Sequence, residues 1–211
     1  MPARRCLLTN KLHSLVRRIS LSAKTRSYEK RAVSETASRV GARTNAEGEP
    51  ILLLAQNRGT WNQLLIRRGL AALERARSLM GALGPYALQA AIAACHARAP
   101  TAEATDWNQI VALYDALAQL IPSPVIELNR AVAVSMAFGP AEALEVVDTL
   151  TSSSRLKDYH LLPSVRGDLL EKLGRFDEAR AEFSRAAAMA QNAREKTLLL
   201  GRAAACGSAA Q

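Results

Sequence analysis

The sequence predicts an all-α protein, and three observations favour this fold class. Alanine (40 residues) and leucine (30 residues) dominate the hydrophobic content, and both favour helices. Aromatic residues make up only 4% of the chain, which is low for a sheet built from aromatic and β-branched side chains. Glycine and proline then divide the second half of the chain into segments of helical length. The expected architecture is a set of antiparallel helix pairs that pack closely through small side chains.

The first predicted helices follow a polar linker at residues 41–50. Thr60 is a plausible N-cap for a helix that stops near residues 81–84. Pro85 fits the first turn of the second helix. Thr105 or Asp106 can cap the third helix, which ends before a proline pair at residues 122 and 124.

The fourth predicted helix begins near Val125, and its apolar residues are Val125, Leu128, Val132 and Met136. A Gly-Pro turn at residues 139–140 begins the fifth helix, which runs to about residue 150. The sixth helix spans about residues 159–173 and the seventh follows the break at Gly174. A final helix, at about residues 194–205, could cap the stack.

The seventh helix carries the clearest repeat pattern. Gly174, Phe176, Ala179, Phe183 and Ala186 all fall at the spacing of the second half of a tetratricopeptide unit. Upstream, a small residue is expected seven positions before the glycine, and Gly167 is found there. A left-handed backbone would explain the use of glycine at the turn.

Two earlier segments keep the same spacing less completely. Ile110 and Ala143 occupy the position of Ala179, with steps of 33 and 36 residues, against about 34 for this repeat. We therefore predict a short right-handed tetratricopeptide-like array, with a chance hairpin in an ordinary helical bundle as the alternative. In such arrays the first helix of each pair lines a concave surface. Candidate partner-binding residues on that surface are Asn129, Arg130, Ser164 and Asp168.

The N-terminal segment is strongly basic. The chain has a net charge of +9, and seven Lys and Arg residues precede the first acidic residue, Glu29. Leucine and isoleucine at residues 8, 12, 15 and 19 give this segment a short amphipathic helical pattern. It could be a flexible arm with no dedicated role, a nucleic-acid contact, or a targeting or membrane-surface segment. The candidate nucleic-acid contacts are Arg4, Arg5, Lys11, Arg17 and Arg18. The expected division is a basic arm and linker (1–45), a helical domain (46–205) and a disordered tail (206–211).

Nothing in the sequence predicts catalysis, a metal site or a cofactor. The three cysteines, Cys6, Cys95 and Cys206, are far apart and form no CxxC pair, which favours reduced thiols in a cytoplasmic protein. The histidines have no partner at metal-ligand spacing within their own helices. No phosphate-binding glycine loop is present, and no apolar run is long enough for a membrane helix.

The amino-acid sequence from Ala42 to about Ala205 resembles that of a known family. The similar stretches are GPYALQAAIAACHARAPTAEATDWNQIVALYDALAQLIPSPVIELNRAVAVSMAFGPAEAL, DYHLL, LGRFDEA and ARTNAEGEPILLLAQNRGTW. They are similar to the C-terminal tetratricopeptide-like extension of bacterial extracytoplasmic-function sigma factors, members of the sigma-70 family. Within QNRGTW, Gln56, Arg58 and Trp61 match the family, while Asn57 replaces the usual aspartate.

The resemblance implies a protein-interaction role in transcription regulation and not promoter recognition. In the family, two domains that bind DNA and polymerase precede this extension, and residues 1–41 are too short for both and do not resemble them. No promoter-contacting residue is therefore carried over, and the chain is expected not to initiate transcription alone. The implied partner is a protein, RNA polymerase or sigma-factor domains. The alternatives are a generic tetratricopeptide-type scaffold and a nucleic-acid-binding protein that acts through its basic arm.

Overall fold

In the part of the chain that the structure describes, glycines, prolines and side-chain caps separate eight α-helices, and no strand occurs. The computed structural model describes residues 33–46, 48, 51–79 and 83–209. The helices are α1 (Gln63–Leu79), α2 (Pro85–Arg98), α3 (Trp107–Leu120), α4 (Pro124–Ala137), α5 (Pro140–Leu150), α6 (Leu161–Lys172), α7 (Phe176–Met189) and α8 (Ala193–Ala209). Short 3₁₀ segments cover Val33–Ala42, Leu53–Ala55, Arg58–Thr60 and Ser154–Leu156. The predicted all-α class is confirmed.

Consecutive helices pack against each other along the chain, which gives three pairs: α2 with α3, α4 with α5, and α6 with α7. The last helix, α8, packs on α7, and the first helices of the second and third pairs, α4 and α6, also touch. One continuous hydrophobic core runs from Leu88 in α2 to Cys206 in α8. Each pair therefore buries its apolar side against its neighbours, as in a stacked repeat.

The turn between α6 and α7 has the geometry that its sequence predicts. Gly174 has φ +73°, a left-handed conformation that costs other residues free energy. The Arg175 backbone N–H donates to the Leu170 carbonyl at 2.9 Å, and the Gly174 N–H donates to the Glu171 carbonyl at 3.0 Å. These two bonds form a Schellman motif, which satisfies carbonyl groups that the end of α6 would otherwise leave unpaired.

The pair α6–α7 is held by a close contact between a glycine and an aromatic ring. Phe183 is fully buried. A Cβ atom added at Gly167 would lie 2.9 Å from the Cδ1 and Cε1 atoms of that ring. The helices can approach this closely only because Gly167 has no side chain. The small-residue position predicted from the repeat spacing is therefore confirmed.

The start of α1 differs from the prediction. Thr60 lies in a 3₁₀ turn, where its hydroxyl donates to the Asn57 carbonyl. The cap is Asn62, whose Oδ1 accepts the Leu65 backbone N–H at 3.0 Å. The prediction of Thr60 as the cap was wrong, because asparagine two positions later is the more strongly preferred N-cap residue. Asp106, by contrast, caps α3 by accepting the Gln109 N–H at 2.9 Å.

Within the described residues, helical structure extends beyond the predicted limits of the helical domain at both ends. The 3₁₀ segment Val33–Ala42, which lies inside the predicted arm, packs against α1 and α2, and Ala42 is buried. At the other end, α8 continues to Ala209 and buries Cys206, inside the predicted disordered tail. In both segments the buried residues include small side chains at helical spacing. Such residues give the sequence no strong hydrophobic pattern from which to predict a packed helix.

Candidate functional site

The four candidate partner-binding residues, which we call the groove residues, lie on the first helices of two neighbouring pairs. Asn129 and Arg130 belong to α4, and Ser164 and Asp168 belong to α6. Although α4 and α6 touch, no hydrogen bond or ion pair joins these four side chains. Their role in partner binding stays a prediction, but the structure shows what each side chain does within the fold.

Arg130 connects its own pair to the preceding one. Its Nε donates to Oδ1 of Asp115 on α3 at 2.5 Å, and its Nη1 lies 3.8 Å from Glu127 Oε2. Asp115 is half exposed, so this ion pair contributes little to stability by itself. Its geometry, however, fixes the guanidinium group against α3 and limits its availability to a partner.

Asp168 takes part in the polar contact that holds α8. It accepts a hydrogen bond from Arg202 of α8 at 2.7 Å and pairs with Lys172 Nζ at 2.8 Å. Arg202 also donates to Glu171, and its guanidinium carbon lies 4.3 Å from the centroid of the Phe183 ring. Burial alone would raise the pKa of Asp168, but the hydrogen bonds from Lys172 and Arg202 lower it below its usual value.

We expect Arg202→Gln to loosen α8 from the array. The substitution removes the charge shared by Asp168 and Glu171 and the contact with the Phe183 ring, so the free energy of unfolding should fall by about 1 kcal/mol. Hydrogen exchange should show faster opening of α8 amides, while α4 amides are unchanged. Lys172→Gln is the control. Lys172 is an exposed partner of Asp168, so the loss of this ion pair should lower the free energy of unfolding by less than about 0.5 kcal/mol. Equal losses in the two variants would contradict the prediction.

The remaining two groove residues differ in availability. Ser164 donates its hydroxyl to the His160 carbonyl at 3.0 Å within its own helix. Asn129 is exposed, and the described residues give its side chain no hydrogen-bond partner. Of the four candidates, Asn129 is therefore the one whose side chain is fully available to a binding partner.

The structure adds three exposed apolar residues to the candidate surface, which the sequence marked only as apolar positions of α4. Val125, Val132 and Met136 are 37%, 42% and 36% exposed, whereas Leu128 on the same helix is 2% exposed. Together with Asn129 they follow spacings of four, three and four, so they share one face of α4. We call Val125, Asn129, Val132 and Met136 the α4 stripe. The spacing was visible in the sequence, but α4 is apolar on more than one face, and periodicity alone could not show which face is buried.

A second cluster joins the segment before α1 to the first helix pair. Arg58 donates to the His96 and Ala99 carbonyls at 2.7 and 2.8 Å, and to the Thr105 hydroxyl at 2.9 Å. Its guanidinium group thereby satisfies carbonyl groups at the C-terminal end of α2. The guanidinium carbon also lies 5.3 Å from the centroid of the buried Trp61 ring.

The QNRGTW motif therefore has a structural role at this junction. Gln56 donates to the Ile51 carbonyl at 3.0 Å. Asn57, which stands where the resembled family has aspartate, accepts the Gly59 N–H through Oδ1 at 2.9 Å. An aspartate could accept the same bond, so the substitution preserves the local turn.

The predicted nucleic-acid contacts all belong to the basic N-terminal segment. Arg4, Arg5, Lys11, Arg17 and Arg18 lie outside the described residues. Within the described chain, no three His, Cys, Asp or Glu side chains group together as metal ligands would. No helix in that same part is long and apolar enough to cross a membrane. Cys95 and Cys206 are both buried free thiols.

Comparison with known proteins gives one family match and one close relative. Residues 33–77 match a family of unknown function (DUF6596). An uncharacterized protein of Rhizobium meliloti (strain 1021) is 49% identical over 158 residues, which are 75% of this chain and 37% of that protein. No solved structure matches the chain. The chain thus spans a little over a third of the length of the curated relative that it resembles.

Proposed function

We propose that this chain is a regulatory, protein-interaction domain of the kind found in sigma-70 family, extracytoplasmic-function transcription initiation factors. Its partner would be RNA polymerase or sigma-factor domains. The observation that carries an interaction role is the α4 stripe, where three large apolar side chains are exposed on the first helix of the middle pair. Exposed apolar side chains that share one face of a helix favour a protein-binding surface.

The proposed role in transcription rests on sequence similarity. The stretches before α1, through α2–α5 and at the α6–α7 turn resemble the C-terminal extension of these sigma factors. The greater length of the Rhizobium meliloti relative is consistent with a domain that works beside others.

The interaction role is tested by binding to bacterial core RNA polymerase and to isolated sigma-factor domains. We expect one of these to retain the chain, and Val132→Asp to weaken binding about tenfold, because a charge would be buried in the contact. Leu200→Asp is the matched control: Leu200 is 48% exposed, but it lies on α8 and outside the α4 stripe. Equal weakening by both substitutions would contradict a role for the stripe. Failure of both partners to bind would instead favour a generic tetratricopeptide-type scaffold.

The proposal also states what the chain does not do. Residues 1–41 do not resemble the domains with which the family contacts promoters. We therefore expect no promoter-specific initiation when the purified chain is combined with core polymerase. Specific transcripts in that assay would overturn this part of the proposal.

A nucleic-acid-binding role remains the second candidate, favoured by the basic N-terminal segment. If Arg4, Arg5, Lys11, Arg17 and Arg18 contact phosphates, replacing all five by glutamine should abolish DNA binding. In the unaltered chain, affinity should fall steeply with salt, because each neutralised phosphate releases counterions. Equal and negligible binding by the two proteins would exclude this candidate.

A further inference from the structure

Arg39, Trp61 and His96 form a cluster at the junction between the 3₁₀ segment Val33–Ala42 and α2. The Arg39 guanidinium carbon lies 5.7 Å from the centroid of the Trp61 ring, and Arg58 contacts the same ring. The His96 ring packs edge-on against Trp107, with 5.2 Å between centroids. The guanidinium groups of Arg39 and Arg58 therefore lie near two indole rings and the His96 imidazole.

Among the described residues, no ion pair balances the positive charge of this cluster. Arg58 donates its hydrogen bonds to two backbone carbonyls and a hydroxyl. Burial lowers the pKa of Arg58 and the charge of the exposed Glu103 acts to raise it, but the two side chains form no ion pair. Arg39 makes no hydrogen bond or ion pair with any described residue. Burial, followed by the charges of Arg43 and Arg58, lowers the pKa of Arg39. Burial, then Arg39 and Arg58, lowers the pKa of His96 to about 4.

Three residues of the segments that meet at this junction carry buried polar atoms without partners. Trp61 is 3% exposed, and its indole Nε1–H donates to no atom of the described chain. The Ser38 side chain, next to Arg39, and Nδ1 of His96 are also buried without a hydrogen bond. Ser38 is fixed beside this site because its carbonyl accepts the Asn62 N–H at 2.9 Å. A buried donor without a partner costs about 1–3 kcal/mol, so a ligand oxygen that accepted the Trp61 N–H would bind favourably.

We propose that this junction binds one oxyanion, a carboxylate or a phosphate group, through the Arg39 guanidinium and the Trp61 indole N–H. An arginine fork matches the oxygens of either group. The indole N–H supplies a donor from a rigid, buried position, and neutral His96 or the Ser38 hydroxyl can complete the set. The anion would balance the guanidinium charges and hold Val33–Ala42 against α2. This site is separate from the α4 stripe and does not depend on the function proposed above.

The test compares thermal unfolding of the full chain in phosphate, acetate and chloride at equal ionic strength. At an anion concentration ten times the dissociation constant, we expect a rise in Tm of about 3 °C over chloride. A rise in phosphate alone identifies a phosphate site, and a rise in acetate alone identifies a carboxylate site. Equal Tm in the three salts would overturn the proposal and indicate that ordered water occupies the junction.

Three variants connect the effect to these atoms. Arg39→Gln should abolish the anion-dependent rise, and Trp61→Phe, which keeps a ring but removes the N–H, should reduce it. Arg155→Gln makes the same charge change at an exposed position in Ser154–Leu156 and should leave the rise intact. An undiminished rise in Arg39→Gln would overturn the proposal.

A second readout keeps the proposal testable if Trp61→Phe folds poorly. The chain has two tryptophans, so Trp107→Phe leaves Trp61 as the sole indole reporter. Its fluorescence should change saturably with the anion that raises Tm, and should not change when Arg39→Gln is added. A fluorescence response that persists without Arg39 would contradict the assigned site.

Discussion

Gly167→Leu should lower the free energy of unfolding by about 3 kcal/mol, at the upper end of the usual cost of overpacking. Even a Cβ atom at this position would lie 2.9 Å from the Phe183 ring. That ring is completely buried, so it cannot move away without displacing other core side chains. Chemical denaturation followed by circular dichroism would measure the loss.

A double-mutant cycle would show that the cost comes from this one contact. Gly167→Ala adds the clashing methyl group, and Phe183→Leu removes the ring that it meets. We expect the double variant to be more stable than the sum of the single effects by about 1 kcal/mol. Gly201→Ala is the control, because nothing lies within 4 Å of a Cβ there; it should be neutral or stabilising. Additive effects at Gly167 and Phe183 would contradict the close-contact explanation.

Gly174→Pro should cost about 3 kcal/mol or more, because proline conflicts with this turn in two ways. Its ring requires φ near −65°, whereas Gly174 has φ +73°. It also removes the N–H that donates to the Glu171 carbonyl at 3.0 Å. The expected result is a large drop in the urea midpoint, with early hydrogen exchange at the α6–α7 turn.

Gly174→Asn separates the backbone effect from a general sensitivity of this turn. Asparagine tolerates the left-handed conformation better than most residues and keeps the N–H. Space is available, since nothing lies within 4 Å of a Cβ at this position. The asparagine variant should therefore lose less than about 1 kcal/mol. If asparagine and proline were equally harmful, the explanation from φ and the hydrogen bond would be wrong.

These two glycines have different roles in the same repeat unit. Gly174 is needed for a backbone conformation, and Gly167 is needed for a helix–helix distance. The repeat spacing predicted both because each requirement is local: one belongs to a turn, and the other to a crossing point fixed by that turn. This unit positions α8, which in turn pairs through Arg202 with Asp168, one of the predicted groove residues.

The candidate surface was harder to predict than the repeat. The sequence marked Val125, Leu128, Val132 and Met136 alike as the apolar residues of this helix, yet only Leu128 is buried. In α4 the core face includes Leu128, Ala131 and Val134. Alanine permits close packing, so the larger residues on the other face are not needed to fill the interior. A sequence with apolar residues around most of a helix does not show which of them its neighbours will cover.

The sequence by itself determined the helical class, most of the turns and the best-preserved repeat unit. It did so because composition, glycine, proline and helix caps act through the local backbone. Only the tertiary structure decided which face of α4 is exposed, how Arg130 and Asp168 are engaged, and that Val33–Ala42 packs onto the first helix pair. It also brought Arg39, Trp61 and His96 together. Such contacts join residues far apart in the chain, and their existence depends on how neighbouring helices stack rather than on any local pattern.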